Sequence, residues 1–254
     1  MENRNKIAFV TGGSRGLGKD MALKIAGKGL DVILTYHSKV DEAKSVVEEI
    51  KAMGRRAATL HLDTSDIKSF SSFTSALKNT LNEEFKGDGI DYIVNNAGVG
   101  GYSPFPEVTE EMFDSLLNIH YKGVYFLTQN LLPILNDGGG IVNVSSGLTR
   151  MSVVGSSAYA SMKGAVEVFT RYLAKELGPR GIKANSIAPG AVMTDFGGGH
   201  LREDEGLQKF VAGATALGRT AVADDIGGVV AFLCTDDAGW VNGQRIEVSG
   251  GMLI

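Results

Sequence analysis

The chain has 254 residues, of which 43% are hydrophobic and 21% are charged, and its formal net charge is −4. This composition excludes a disordered chain, and the acidic balance without a basic stripe argues against a nucleic-acid partner. The one cysteine, Cys234, excludes an intrachain disulfide. The apolar run near Val229–Cys234 falls far short of the roughly 20 residues that a membrane helix needs, so we expect no membrane partner.

The start of the chain, Met1–Lys6, is polar and charged and lacks the apolar region of a signal peptide. A single cysteine fits a reducing compartment. Together these features predict a cytoplasmic protein.

Short apolar runs alternate with helical patterns along the chain. Helices are predicted first at Leu17–Gly27 and Glu42–Met53. Continuous apolar strands separated by helices are typical of a parallel sheet covered on both faces. We therefore predict an α/β, doubly wound (Rossmann) fold, with the ligand site at the carboxyl ends of the strands. Its seven parallel strands are predicted at Ile7–Val10, Val32–Tyr36, Ala57–Leu62, Ile90–Val94, Ile141–Val144, Ile182–Ile187 and Arg245–Val248.

One stretch breaks this alternation within what we predict to be a single domain over 1–254. Thr194–Gly218 contains three consecutive glycines, Gly197–Gly199, and a charged patch over 202–205. A long insertion after a strand end is often a lid over a binding site. The alternative is a plain surface excursion.

A glycine-rich turn follows the first predicted strand directly. Thr11–Gly18 reads T-G-G-S-R-G-L-G and leads into a helix. Free N–H groups and the dipole at a helix N-terminus attract a pyrophosphate, and glycines let the backbone approach it closely. The spacing differs from the usual G-x-G-x-x-G, so it is the position after the first strand that indicates a dinucleotide site.

Tyr159 and Lys163 are four residues apart, which places both side chains on one face of a helix. A free tyrosine has a pKa of about 10 and transfers protons poorly at neutral pH. A nearby ammonium favours the phenolate and lowers this pKa. Among the seven tyrosines, only Tyr159 has a lysine at this spacing. The alternative is an ordinary surface pair.

These motifs resemble the short-chain dehydrogenase/reductase family, in the right order and over nearly the whole chain. The family's glycine motif is matched by Thr11, Gly12, Gly16 and Gly18, and its N-N-A-G motif by Asn95–Gly98. Its catalytic serine and Y-x-x-x-K are matched by Ser146, Tyr159 and Lys163. Its P-G-x-x-x-T motif is matched by Pro189, Gly190 and Thr194, and its C-terminal glycine pair by Gly250 and Gly251. The resemblance implies that Ser146 orients the substrate oxygen while Tyr159 transfers a proton and Lys163 binds the nicotinamide ribose. It also implies a cofactor site built from Gly12, Ser14, Arg15, Gly16, Leu17, Gly18, His37, Ser38, Asp63, Asn95, Ala97, Gly98, Tyr159, Lys163, Pro189, Gly190, Val192 and Thr194.

The end of the second predicted strand bears on cofactor choice. NAD-specific sites usually place an acid there for the ribose hydroxyls, but residues 35–39 read Thr-Tyr-His-Ser-Lys. Arg15, with His37, Ser38 or Lys39, could instead bind a 2′-phosphate, so we expect NADP(H) to be favoured over NAD(H). Alternatively, Arg15 tethers the loop to solvent or to a nearby acid. Asp63 matches the family's adenine-contacting acid, or it caps a helix.

His120 departs from the family pattern. It aligns with the family's catalytic asparagine, which is thought to hold a water in a proton relay. It lies on an apolar helical stripe with Phe113, Leu117 and Val124. The hypothesis is that His120 holds that water or relays the proton itself, and the alternative is a satisfied core histidine.

The predicted activity is the reversible reduction of a ketone or aldehyde to an alcohol, as in carbonyl reductases and ketoreductases. The chain also resembles the 3-oxoacyl-carrier-protein reductases, but residues 136–140 hold no basic residue to meet an acidic carrier, and only Arg180 remains for it. The predicted substrate-binding residues are Ser146, Val153, Tyr159, Met193 and Phe196. For Val153, Met193 and Phe196 the alternative is a role in packing the core or the lid. Scattered histidines and one cysteine argue against a catalytic metal.

Two rival functions remain open. A non-catalytic NADP(H) sensor would explain the unusual His120, although the intact Ser146, Tyr159 and Lys163 argue against it. A nucleotide-sugar epimerase would need a longer C-terminal region. The family resemblance further implies a homotetramer, with the helices after strands four and five forming one interface.

Overall fold

Seven parallel strands form the central sheet of the computed structural model, which describes residues 5–254. Their spatial order is β3-β2-β1-β4-β5-β6-β7, and every neighbouring pair is parallel. The strands are β1 Ile7–Val10, β2 Asp31–Tyr36, β3 Ala57–His61, β4 Ile90–Asn95, β5 Leu135–Val144, β6 Lys183–Pro189 and β7 Arg245–Val248. The predicted fold class is therefore confirmed. Residues 1–4, on which part of the signal-peptide prediction rests, lie outside the described residues.

Helices cover both faces of this sheet. They are α1 Gly16–Gly27, α2 Val40–Ala52, α3 Phe70–Phe85, α4 Glu110–Leu117, α5 Gly123–Leu131, α6 Ser157–Glu176, α7 His200–Glu203, α8 Glu205–Gly213 and α9 Asp224–Leu233. A wider π-helical turn, Asn118–Lys122, joins α4 to α5. In the part of the chain that the structure describes, no helix is both long and apolar enough to span a bilayer.

Alternate residues of each central strand pack on opposite faces. Ala8 and Val10 join the core beneath α1, α2 and α9, whereas Ile7 and Phe9 join the core beneath α3, α5 and α6. All four side chains are at most 1% exposed. This double burial explains why the strands are apolar throughout rather than alternating.

Strand β5 begins at Leu135, so the predicted start at Ile141 was wrong. The added segment is Leu-Asn-Asp-Gly-Gly-Gly, which lacks the apolar run that marks a strand. It pairs with β4 across a register shift between Ile90 and Tyr92. A Cβ on Gly139 would lie 2.2 Å from the carbonyl oxygen of Asp91. The glycine is thus needed for the strands to approach here, and that contact is invisible in local sequence.

The strand order reverses between β1 and β4. After β1 the chain adds β2 and β3 on one side of it in the sheet, and β4 to β7 then follow on the other side. In such sheets the loops that leave adjacent strands on either side of the reversal diverge and open a crevice. The glycine-rich turn after β1 and the N-N-A-G segment after β4 border this crevice.

Candidate active site

The glycine-rich turn after β1 closes tightly onto the first turn of α1. Gly12 and Gly16 have φ values of +65° and +55°, a region that favours glycine. A Cβ on Gly18 would lie 2.1 Å from the carbonyl oxygen of Gly12, and one on Gly13 would lie 2.7 Å from Leu34 Cβ. No side chain caps the N-terminus of α1. Backbone N–H groups on an uncapped helix, beside a glycine-rich loop, fit a nucleotide pyrophosphate.

The loop after β4 is hydrogen-bonded to this glycine turn. Thr11 Oγ1 accepts from the backbone N–H groups of Asn96 and Ala97, at 2.9 and 3.0 Å. The Asn96 amide donates to the carbonyl oxygens of Thr11 and Gly12, at 2.9 and 3.2 Å. Asn96 therefore joins the two walls of the crevice. Sequence analysis treated it only as part of a motif, because its partners are more than 80 residues away.

Asn95, predicted to bind cofactor, has its side chain in the protein interior. The side-chain amide donates to Thr128 Oγ1 and Asn143 Oδ1, at 3.0 and 2.8 Å. Asn143 in turn donates to Thr170 Oγ1 at 2.9 Å. The Asn95 side chain thus links β4, β5, α5 and α6.

Ser146, Tyr159 and Lys163 come together at the carboxyl end of β5. Ser146 lies two residues after the end of the strand, and its Oγ accepts from the N–H of Leu148 at 3.2 Å. Tyr159 lies in the first turn of α6, and its phenol interacts with the Ser146 side chain. Lys163 Nζ lies 5.7 Å from the centre of the Tyr159 ring and donates to the carbonyl oxygen of Val144 at 2.7 Å.

Burial governs the proton affinities of this group. It raises the pKa of Tyr159 well above its ordinary value, against the smaller lowering effect of the Ser146 side chain. It lowers the pKa of Lys163 to about 8. In the protein by itself the phenol therefore keeps its proton at neutral pH, and the lowering expected from the neighbouring ammonium does not dominate.

His120 lies on the π-helical turn and is fully buried. Its Nε2 is 2.8 Å from the carbonyl oxygen of Val99, and its ring meets the Tyr159 ring edge-on at 5.0 Å between centres. Burial, followed by the charge of Lys163, lowers its pKa to about 3, although the hydrogen bond to Val99 opposes this. The Val99 N–H also lies 3.3 Å from Nε2, but the shorter contact, to the carbonyl oxygen, requires Nε2 to donate. A neutral imidazole that donates from Nε2 leaves Nδ1 as an acceptor, and Nδ1 has no protein partner.

The cations predicted for a 2′-phosphate each lie beside a carboxylate. Arg15 Nη1 is 3.1 Å from Asp195 Oδ2, and His37 Nε2 is 3.7 Å from Asp63 Oδ2. The structure therefore realises the alternative in which Arg15 tethers its loop to an acid, and that acid belongs to the 194–218 segment. Lys39 Nζ lies 3.9 Å from Glu42.

Asp63 also organises its own loop. Its carboxylate accepts from the backbone N–H and the hydroxyl of Ser65, at 2.8 and 2.7 Å. The Ser65 hydroxyl bond is the largest cause that lowers the pKa of Asp63, with burial opposing it. These local bonds form an Asx turn and not a helix cap, because the helical turn that follows, Ile67–Ser69, is capped by Asp66.

The other predicted cofactor residues lie around the same crevice. Ser14 is buried in the glycine turn, and Leu17 packs against the core. A Cβ placed on Gly16 would lie 3.8 Å from Thr194, and one on Gly12 would lie 3.0 Å from Ala97 Cα. Three further predicted residues complete this rim: Pro189 ends β6, Gly190 packs against Ser249, and Val192 pairs with Ala221.

The three predicted pocket residues occupy different surroundings. The Phe196 ring is 6.0 Å from the Tyr159 ring, whereas Val153 is 49% exposed in the loop after β5. Met193 instead lines a cavity of about 460 Å³ beside α1, together with Asp195 and Arg202, and none of Ser146, Tyr159 or Lys163 lines it.

Sequence analysis also missed Tyr102 in the loop after β4. A Cβ on Gly155 would lie 2.3 Å from the Tyr102 ring, so the loops after β4 and β5 are in contact. No local pattern marks this aromatic residue as part of a site. Among residues 5–254, no cluster of three or more His, Cys, Asp or Glu side chains could hold a metal ion.

Comparisons with known proteins agree with this architecture. Residues 12–253 match the protein family described as Enoyl-(Acyl carrier protein) reductase. The hydroxynaphthalene reductase-like protein Arp2 of Metarhizium brunneum is 39% identical, over 97% of this chain and 94% of that protein.

Two solved ketoreductases share the fold closely. The promiscuous reductase LugOII, which catalyses keto-reduction at C1 during lugdunomycin biosynthesis, is 35% identical with a TM-score of 0.93, and the match covers 100% of both chains. The landomycin C-6 ketoreductase LanV, solved with NADP and rabelomycin, is 36% identical with a TM-score of 0.89, over 98% of this chain and 97% of that one. With its parallel sheet and glycine-rich turn, this chain belongs to the short-chain dehydrogenase/reductase family of NAD(P)-dependent oxidoreductases.

Proposed function

We propose that this enzyme reduces a ketone or aldehyde to an alcohol with NADP(H), reversibly, and that Tyr159 is its general acid and base. The observation that carries the proposal is the Tyr159 phenol, beside Ser146 and Lys163, at the carboxyl end of β5. That edge also holds the crevice of the glycine turn. The chain thus has a proton donor next to a nucleotide site.

Each of the three side chains has a separate task in reduction. The nicotinamide, when bound, supplies the hydride to the carbonyl carbon. Tyr159 donates its phenolic proton to the carbonyl oxygen, which Ser146 orients through its hydroxyl. Since burial raises the pKa of Tyr159, the phenol is protonated at neutral pH, as a donor must be. The Lys163 ammonium attracts the phenolate that forms.

His120 serves this group as a fixed hydrogen-bond acceptor. With a pKa of about 3, its imidazole stays neutral at physiological pH. Its unpartnered Nδ1 is suited to holding a water molecule near Tyr159 and Lys163. We therefore favour the water-holding role over a relay in which the imidazole itself gains and loses a proton.

The preference for NADP(H) rests on charge at the adenosine end. Arg15, His37 and Ser38 would face a 2′-phosphate, with Lys39 following, and β2 ends without an acid. Charge-assisted hydrogen bonds to a phosphate would replace the present contacts of Arg15 with Asp195 and of His37 with Asp63. The solved relative LanV binds NADP, which supports this choice.

The substrate is proposed to be a small ring ketone. Exposed apolar side chains lie in all three loops that follow β4, β5 and β6: Val99, Tyr102, Phe105, Val153, Val154 and Phe196. Such a rim suits an aromatic ring, and the relatives' names refer to a hydroxynaphthalene, to rabelomycin and to keto-reduction. A carrier-bound substrate is disfavoured because Arg180 is engaged by Asp137.

The 194–218 segment and the α5–α6 surface complete the proposal. The segment contains Phe196 near Tyr159 and Asp195 paired with Arg15, so we propose that it acts as a lid within a single domain.

Tyr125, Val168 and Tyr172 are exposed on α5 and α6, and they support a homotetramer in which these helices pair.

The test of the proposed chemistry is Tyr159→Phe, which removes one oxygen atom from the site. We expect kcat for NADPH-dependent ketone reduction to fall by about 10²- to 10⁴-fold, the contribution typical of a general acid. The NADPH dissociation constant, measured by nicotinamide fluorescence, should stay near the wild-type value. Retention of full turnover by this variant would remove Tyr159 as the proton donor.

A panel of cyclic and aromatic ketones, assayed by loss of NADPH absorbance, separates the enzyme from a sensor. Turnover with any member supports the proposed activity. Tight NADPH binding with no turnover across the panel would instead indicate the non-catalytic sensor. Running the panel with NADH as well measures the cofactor preference.

A further inference from the structure

A half-buried cluster of charged and hydroxyl side chains lies behind Ser146, outside the group that meets the substrate. Its centre is Glu167, one helical turn after Lys163 and two turns after Tyr159 on α6. Residues at this spacing share one helix face. Glu167 therefore extends the row of Tyr159 and Lys163 deeper into the molecule.

Glu167 holds both ends of the loop that carries Ser146. Its Oε1 accepts from Ser145 Oγ at 2.6 Å and from Thr149 Oγ1 at 2.8 Å. Ser145 immediately precedes Ser146, and Thr149 follows it by three residues. The contacts thus bind the serine loop to the helix of Tyr159 from both sides.

Arg245 on β7 completes the cluster and reaches Ser146 itself. Its Nε donates to Glu167 Oε1 at 2.7 Å, and its Nη2 donates to the backbone carbonyl oxygen of Ser146 at 3.3 Å. Thr149 Oγ1 lies 2.9 Å from the same carbonyl oxygen. These contacts hold the Ser146 backbone, and the hydrogen bond from the Leu148 N–H to Ser146 Oγ holds its side chain.

The cluster is shielded and balanced in charge. The side chains of Glu167 and Arg245 are 12% and 24% exposed. Arg245 also donates to Glu247, which in turn accepts from Arg150. Charge-assisted hydrogen bonds away from solvent are stronger than those at a surface. Removing the Glu167 carboxylate would free both ends of the loop and leave Arg245 with one fewer acceptor.

We propose that Glu167 is a positioning residue that, with Arg245, aligns the Ser146 hydroxyl with the Tyr159 phenol. The inference rests on the proposed function, in which Ser146 orients the substrate oxygen. Glu167 itself touches neither substrate nor cofactor. Its effect on the reaction must pass through Ser146, and this makes the inference testable.

The experiment is a double-mutant cycle of Glu167→Ala and Ser146→Ala, assayed for kcat and KM with a ketone and NADPH. A displacement of about 1 Å can cost 10²-fold in rate, so we expect Glu167→Ala to lower kcat by roughly 10- to 100-fold. In the Ser146→Ala background the same change should lower kcat less than twofold. NADPH affinity, measured by fluorescence, should stay within about twofold of wild type.

Two further variants act as controls. Glu167→Gln keeps an acceptor oxygen for Ser145 and Thr149, and it should recover most of the lost kcat. If Glu167→Ala does not fold, the cycle is run with Glu167→Gln, for which the loss of one charged hydrogen bond predicts a drop of about three- to tenfold. Glu176→Ala changes an exposed carboxylate on the same helix and should leave kcat unchanged.

The outcomes separate this inference from the proposed function. If Ser146→Ala is impaired but Glu167→Ala lowers kcat equally in both backgrounds, the positioning role is wrong. It is also wrong if Glu167→Ala lowers only the melting temperature. If Ser146→Ala itself keeps wild-type turnover, the proposed role of Ser146 fails and the positioning role fails with it.

Discussion

At the scale of single residues, His120 has the least usual environment in the site. The π-helical turn places its imidazole in the interior, where a Cβ on Gly98 would lie 2.6 Å from its Cε1. The carbonyl of Val99 occupies one ring nitrogen, and burial disfavours the charged ring. The residue is therefore held as a neutral acceptor close to Tyr159.

This neutral state predicts acid sensitivity that depends on His120. The folded-state pKa of about 3 lies below the ordinary 6.5, so the unfolded chain binds more protons between these values. Stability therefore falls as pH drops below about 6.5, by about 2 kcal/mol at pH 5. We expect the melting temperature of His120→Asn to change less between pH 7.5 and pH 5 than that of wild type.

The same variant tests the role of His120 in catalysis. If His120 only holds a water molecule, His120→Asn should lower kcat without moving the limbs of the kcat–pH profile between pH 5 and 8. A limb that shifts in the variant would mean that the imidazole titrates during turnover. An equal fall in melting temperature for both proteins at pH 5 would contradict the buried neutral state.

At the scale of elements, the 194–218 segment is tied to the glycine turn by one carboxylate. Asp195 pairs with Arg15 across 180 residues of sequence, and it also pairs with Arg202 within the segment. A 2′-phosphate bound by Arg15 would have to compete with Asp195. The proposed lid and the proposed phosphate site therefore share the Arg15 guanidinium.

This competition predicts that Asp195→Asn tightens NADPH binding. Because the Arg15–Asp195 pair is exposed, its removal should lower the NADPH dissociation constant by only about two- to fivefold. NADH lacks the 2′-phosphate, so its affinity should not change. Fluorescence titrations with both cofactors measure the difference. The effect should disappear in an Arg15→Ala background, and equal tightening of both cofactors would contradict the competition.

At the scale of the whole molecule, an aromatic surface on α5 and α6 is left open to solvent. Tyr172 is 63% exposed and Val168 is 45% exposed, while Tyr125 stacks on Phe169 at 4.5 Å between ring centres. Contiguous apolar surface of this kind marks association sites. The proposed homotetramer would bury it between copies of the same helices.

A charge placed on this surface should therefore weaken assembly. We expect Tyr172→Glu to lower the mass measured by light scattering to that of a smaller assembly, because an unpaired carboxylate would be buried in the interface. Lys78→Glu, on the exposed side of α3, should leave the mass unchanged. If Tyr172→Glu has the wild-type mass, α5 and α6 do not form the interface.

The seven strands, the helices that alternate with them and the motifs at the strand ends could be predicted from the sequence, apart from the early start of β5. These features are local: a fully buried strand needs an apolar run, a tight turn onto a helix needs glycines, and a shared helix face needs a spacing of four. The spacing of Tyr159 and Lys163 and the positions of Gly12, Gly16 and Gly18 are local features of this kind, whereas Ser146 is predicted from the resemblance to the family.

The partners of those residues depend on how the elements pack in three dimensions. Three sets of contacts join residues that are distant in sequence. They are the buried hydrogen bonds of Asn95, the pairing of Arg15 with Asp195, and the hydrogen bonds of Glu167 and Arg245 at the Ser146 loop. The early start of β5 likewise depends on how closely β4 approaches Gly139. Burial, which raises the pKa of Tyr159 and keeps His120 neutral, is set by every element packed around a side chain, so no local pattern can contain it.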